Sequence, residues 1–259
     1  MIQIDIVDME KLVAFWLCFS RWLAIAFQLP IFDNVSVPTL VKILGTLVIS
    51  YAFFPVVEPH IMQDIQYMGA ENFWALTIFY TIVGLIIGYL VKSILQLFVA
   101  SGSIITQQVG FAAVRYFDPS MGSQVGPFEK LIHWTILIVI ITSGALLPMF
   151  KGVVESFGSI HIYQLGMFAK TPVFFVEFFK SIFLSAILLA MPVIFSNILI
   201  MVILGITARM VPQMNIIMVS FVLNIGLGLL VFAATSNEFF QVGFKIYVEK
   251  LGDWFQFIT

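Results

Sequence analysis

Long apolar runs, broken at isolated charges, organise the chain. A hydrocarbon core of roughly 30 Å is crossed by about 20 apolar residues of helix. Runs near or above that length lie at Leu12–Phe32 (interrupted by Ser20 and Arg21), Ile43–Val57, Asn72–Val91, Ser93–Val114, Leu131–Phe150, Ser181–Ala208 and Met210–Asn237. Each predicts a helix. Ile43–Val57 is short for a span and needs extension at its ends. Lys92 separates two runs and marks a turn or an interface position. Arg209 alone separates the last two, which predicts a helical hairpin over 181–237 with Arg209, Met210, Val211 and Pro212 at its tip. Proline is tolerated in the first turn of a helix, so Pro212 suits the start of the second arm.

The intervening segments read as loops. Residues 33–42 contain Pro38, and residues 58–71 hold three acids without Lys or Arg. Residues 115–130 combine Gly122, Gly126 and Pro127 with an Asp118-Pro119 turn signal. Residues 151–172 are moderately polar. No domain boundary, low-complexity tract or clear internal repeat stands out, so the pattern predicts one helical bundle with elaborated loops.

Composition decides where this bundle sits. Of 259 residues, 61% are hydrophobic and 10% charged, with a mean hydropathy of +1.08. Soluble domains run at roughly 45–50% apolar and about 25% charged. The surplus must face lipid or other subunits, which makes the expected fold class all-α and membrane-associated. A net charge of −2 supplies no basic field for nucleic acid. The acidic start, with Asp5, Asp8 and Glu10 against Lys11, is unlike a secretory signal, and the first apolar segment is expected to stay in the chain. The acidic 58–71 loop favours the outside, which alternation extends to an outside N-terminus and inside positions for 33–42 and Arg209. Lys151, Lys170, Lys245 and Lys250 then fall outside, so charge supports this topology only in the first third of the chain.

Candidate chemistry is sparse. Cys18 is the one cysteine, which excludes an internal disulfide, and it reads as a small buried hydrophobe. Arg21 is costly inside an apolar run. It either contacts another subunit or a pore, or it is spent on an intramolecular ion pair or reaches the headgroups. Glu177 and Lys180, three residues apart on a helix, can neutralise each other. His60, His133 and His161 lack the spacing of a metal site. Gly84 and Gly88 form a GxxxG pair that lets helices approach closely. Met210, Met214 and Met218 share one helix face and read as packing. Phosphate-binding loops, dinucleotide fingerprints, zinc-protease motifs and nucleophile elbows are absent from the sequence, so we expect neither an enzyme nor a cofactor. A small-solute transporter would need broken helices and often inverted repeats, and the sequence shows no inverted repeat.

Several strings together resemble the FliR/SctT family, subunits of the flagellar type III export gate and of its injectisome counterpart. They are RWLAIAFQLPIFDNVSVP from Arg21, GLIIGYLVKSILQLFVASGSIITQQVGFAAVRYFDP at 84–119, and LLAMPVIFSNILIMVILGITARMVPQMNIIMVSFVLNIGLGLLV at 188–231. GITARMVPQMN at 205–215 is the most specific; Val222 and Asn224 stand where the family often carries a proline nearby. The resemblance implies a FliP-like part at 1–180 and a FliQ-like hairpin with a tail at 181–259. It further implies a closed helical ring with FliP and FliQ, FlhB on its outside, unfolded export substrates passing through, and membrane lipid around part of the assembly at the bacterial inner membrane. A plug would be formed by Gly110, Phe111, Arg115, Tyr116, Phe117, Asp118, Pro119, Met121 and Gly122. Contacts with neighbouring subunits would fall to Arg21, Gly84, Gly88, Arg209, Pro212, Gln213 and Asn215. An injectisome gate subunit is the alternative within the family.

Overall fold

The structure is a computed structural model that describes residues 9–29, 38–111, 126–163, 171–211, 213 and 215–258. Among these residues there is no strand. The described residues form seven α-helices in order: α1 (Met9–Ala26), α2 (Thr39–Met68), α3 (Phe73–Val109), α4 (Pro127–Thr142), α5 (Leu147–Ser159), α6 (Thr171–Met210) and α7 (Ile216–Ile258). A short 3-10 turn, Ala70–Asn72, joins α2 to α3. The all-α expectation therefore holds.

Helix boundaries differ from those drawn at charges. Residues 58–68, expected in a loop, continue α2 through Glu58 and Asp64, and Pro55 and Pro59 lie inside the helix. Val57, Ile61, Asp64 and Ile65 are buried on it, so a packed face carries the helix past the point where apolarity stops. Lys92 makes no turn. It is half-buried within the continuous α3, whose buried Leu76, Tyr80, Val83, Ile87, Leu90 and Ile94 follow helical spacing across it. The run Leu131–Phe150 is broken instead of continuous. Gly144 adopts φ +73, a left-handed conformation suited to glycine, and Pro148 stands in the first turn of α5. Residues 151–159, expected in a connector, are helical and bury Gly152, Val153, Ser156 and Phe157. The arms of the expected hairpin are longer than 181–237, and the second starts at Ile216.

Among the described residues four helices (α2, α3, α6 and α7) are long and apolar enough to cross a membrane, and α4 with α5 would make a fifth interrupted span. α1 is not one of them. The chain folds as two compact units interleaved in sequence. One consists of Met1–Ser93, Leu146–Glu177 and Lys250–Thr259; the other of Ile94–Ala145 and Phe178–Glu249.

In the first unit α1 packs on α2 and on α3. Trp22 stacks between Phe53 and Phe150, at centroid distances of 5.4 and 5.9 Å. Gly84 and Gly88 let α3 meet α1 backbone to backbone: a Cβ on Gly84 would stand 2.6 Å from the Arg21 carbonyl oxygen. At Gly152 it is a side chain that comes close: a Cβ there would stand 2.5 Å from the Trp254 ring. In the second unit Gly102 faces the backbone of Glu129, and Gly228 faces Val109. Glu129 accepts a 2.8 Å hydrogen bond from the Gly126 N–H at the start of α4. Phe128 meets Phe232 edge-on, at 4.9 Å.

Candidate functional site

The first unit buries a cluster of charged and polar side chains that five segments supply. Arg21 on α1 is fully buried. Its guanidinium lies between the faces of Tyr80 on α3 and Phe157 on α5, 4.3 Å from each ring centroid, a geometry that stabilises a desolvated cation. Nη1 donates to the Ser156 carbonyl oxygen at 2.9 Å. The Tyr80 hydroxyl donates to Asp64 Oδ2 at 2.7 Å, and His161 Nδ1 lies 3.1 Å from Asp64 Oδ1. Arg21, Asp64 and Ser156 are wholly buried and His161 nearly so. Burial pushes the Arg21 guanidinium below its ordinary pKa, while Tyr80, Asp64 and Cys18 act in the opposite direction. The cation is thus held by aromatic faces, a carbonyl oxygen and a nearby carboxylate. Nε and Nη2 have no hydrogen-bond partner among the described residues.

This places Arg21, Gly84 and Gly88, expected at subunit contacts, inside the chain's own core. Arg21 is spent on ties between helices, and both glycines are spent on the crossing of α1 with α3. Cys18 is buried as expected, its thiol 3.8 Å from the Ser50 carbonyl oxygen, and burial pushes it up to about 12. The sequence reading missed Asp64, Tyr80, Ser156 and Phe157. The available signal was electrostatic: an arginine inside an apolar run calls for a counter-charge, and Asp64 stood in a segment read as a loop.

The second unit holds what is described of the expected plug. Gly110 turns the chain at the end of α3 with φ +92, its N–H bonded to the Gln107 carbonyl oxygen at 3.1 Å. Phe111 lies against Phe128 at 5.8 Å. Next to this turn Asn197 on α6 donates to the carbonyl and side-chain oxygens of Gln108, at 2.8 and 2.6 Å. Arg115, Tyr116, Phe117, Asp118, Pro119, Met121 and Gly122 lie outside the described residues, as do Pro212 and Met214. At the junction of α6 and α7, Arg209, Gln213 and Asn215 are exposed. Asn215 Oδ1 accepts from the Met218 N–H at 3.3 Å, so the start of α7 is capped by Asn215. Among the described residues no three His, Cys, Asp or Glu side chains are grouped to hold a metal ion.

Residues 12–248, from the first turn of α1 to the last third of α7, match the family model of the bacterial export proteins, family 1. The chain belongs to that family. Relatives match over most of their own length. Flagellar biosynthetic protein FliR of Aquifex aeolicus (strain VF5) is 21% identical over 247 residues, covering 92% of this chain and 93% of that protein. FliR of Bacillus subtilis (strain 168) is 26% identical over 232 residues, covering 88% of each. Surface presentation of antigens protein SpaR of Shigella sonnei is 24% identical over 230 residues, covering 86% of this chain and 85% of its own. The family match runs through the buried cluster, the Gly110 turn and the α6–α7 junction. A core of packing contacts and an outward apolar surface thus belong to a protein of bacterial export.

Proposed function

We propose that the chain is a structural and gating subunit of the flagellar type III export apparatus, seated in the bacterial inner membrane. In this reading it closes a helical ring with FliP and FliQ, with FlhB outside and unfolded substrates passing through. Residues 1–180 form a FliP-like part and 181–259 a FliQ-like hairpin. The segment from Gly110 to Gly122 plugs the channel, while Arg209, Pro212, Gln213 and Asn215 meet neighbouring subunits. The family match over residues 12–248, with FliR relatives covered along most of their length, carries the proposal.

The outward chemistry of α6 and α7 supports it. Phe195, Ile203 and Ile206 on α6 and Ile217, Val222 and Leu230 on α7 are exposed, and such a surface needs lipid or protein against it. The subunit itself carries out no catalysis, and energy for export enters elsewhere. The relative SpaR keeps an injectisome gate as the second reading. Deleting the gene and scoring both swimming in soft agar and secretion of non-flagellar export substrates separates the two. Loss of swimming with flagellin retained in the cell supports the flagellar gate. Normal swimming with lost secretion of the other substrates supports the injectisome gate.

A further inference from the structure

We propose that Asn197 is a positioning residue for the gate: from α6 it caps the end of α3 and so fixes where the chain leaves that helix. This deepens, and rests on, the reading of Gly110 to Gly122 as a plug. It starts from a polar side chain that its own helix does not use. Along α6, Ser181, Ser196 and Thr207 return their hydroxyls to carbonyl oxygens of the same helix. Asn197 is buried in the same apolar run, yet it sends its amide to another helix: Nδ2 lies 2.8 Å from the Gln108 carbonyl oxygen and 2.6 Å from Gln108 Oε1. A backbone carbonyl only accepts, so the nitrogen of Asn197 is the atom that must face it, and both of its N–H groups are then used.

The position of the acceptor gives this contact its meaning. The last carbonyl groups of a helix have no partner within it, and Gln108 stands next to Val109, where α3 ends. Asn197 therefore supplies from a neighbouring helix what a C-terminal cap supplies locally. Other elements of the same unit hold the same turn. On α7, Gly228 leaves room for Val109: a Cβ there would stand 2.8 Å from Val109 Cγ2. Phe221 of α7 comes within ordinary contact of Gly110, which then turns the chain with φ +92. On α4, Phe128 meets Phe111 at 5.8 Å and is itself backed by Phe232. The exit of α3 is thus docked on α6, α7 and α4 at the first residue of the expected plug. The apolar contacts tolerate small shifts of the turn. The two hydrogen bonds of Asn197 are directional, and they break when the last turn of α3 frays. Asn197 is therefore the contact that sets the direction of the exit.

Two measurements test this. The first reads the cap in the purified full chain in detergent and does not depend on the plug: hydrogen exchange of peptides covering residues 105–111. The wild type is expected to be protected there. Asn197→Leu, which keeps the volume and removes both donors, is expected to lose that protection. Gly243→Ala is the control. Its Cβ crowds Phe98 at 3.0 Å, where α7 meets α3 away from the turn, and it should leave 105–111 protected. Equal exchange in wild type and Asn197→Leu overturns the cap. The second measurement reads ion leak across the inner membrane of the cell, together with the amount of assembled complex. Asn197→Leu is expected to assemble and to leak towards the level of the 110–122 deletion, while Gly243→Ala stays tight. A deletion that leaks beside an assembled, tight Asn197→Leu overturns the positioning role and leaves the plug standing. A deletion that stays tight overturns the plug and the positioning role with it, and exchange still decides the cap. Should Asn197→Leu fail to assemble, Gly228→Ala takes its place, because it lifts the same turn off α7.

Discussion

Gly84→Ala is the perturbation whose outcome follows most directly from the packing. The added Cβ would stand 2.6 Å from the Arg21 carbonyl oxygen, 2.9 Å from Ala24 Cβ and 3.2 Å from Arg21 Cα. Ordinary contact begins at 3.4 Å. The atoms in the way belong mainly to the backbone of α1 and cannot swing aside, so α1 must move by several tenths of an ångström. Overpacking of this kind costs about 1–3 kcal/mol. The displaced carbonyl belongs to Arg21, so its bond to Ser156 and its place between Tyr80 and Phe157 are disturbed as well. Gly88→Ala meets its nearest atom, Ile25 Cα, at 3.1 Å and should cost less. Gly205→Ala, in α6, meets nothing within 4 Å and should cost nothing, because alanine favours helix over glycine by about 1 kcal/mol. Thermal unfolding followed by tryptophan fluorescence reads all three, since Trp22 stacks between Phe53 and Phe150. A kilocalorie corresponds to about 2–4 °C in a chain of this size. The expected order of loss is Gly84→Ala, then Gly88→Ala, then Gly205→Ala. Equal midpoints for Gly84→Ala and Gly205→Ala would refute the close crossing of α1 and α3.

Further outcomes follow from the same contacts. Asp64→Leu leaves the Arg21 cation without its nearby carboxylate and should destabilise by about 3–5 kcal/mol; Arg21→Met combined with it should cost less than the sum of the single changes, as a double-mutant cycle would show. Cys18, pushed up to about 12 by burial, stays a thiol at pH 8 and should resist maleimide until denaturant is added; rapid labelling of the folded chain would contradict its burial. Asn215→Ala removes the cap on α7 and should lower stability by about 0.5–2 kcal/mol, with Asn215→Asp or Asn215→Ser retaining it. Deleting 110–122 should make the closed channel leaky to ions, and unchanged membrane conductance would sink the plug.

Hydrophobic runs located every long helix because burying or lipid-facing segments must be apolar, whichever partner covers them. They placed the ends poorly, since a helix ends where its backbone does and not where charge appears. Lys92 sits within α3, Glu58 and Asp64 extend α2, and both were legible as charges but not as helical positions. A window of hydropathy also averages away one-sided burial, which is why α5 was read as a connector although Val153, Ser156 and Phe157 form a packed face. GxxxG was read correctly as a close approach, but the sequence could not say that Arg21 and Ala24 of the same chain would fill it. The buried cluster was the least legible feature. Arg21 signalled a cost, yet its carbonyl partner lies 135 positions away, beyond any periodicity. The GITARMVPQMN string, in contrast, carries the family resemblance although its Arg209, Gln213 and Asn215 are exposed.

The central claim is that this chain works as one subunit of a larger membrane assembly. Its most direct test is the mass of the tagged chain extracted from its own bacterium in mild detergent, with the accompanying proteins identified by mass spectrometry. The account predicts a stable complex of several copies of FliP and FliQ with this chain in the minority. A monomer or homodimer, free of FliP and FliQ under conditions that preserve other membrane complexes of the same cell, would contradict it.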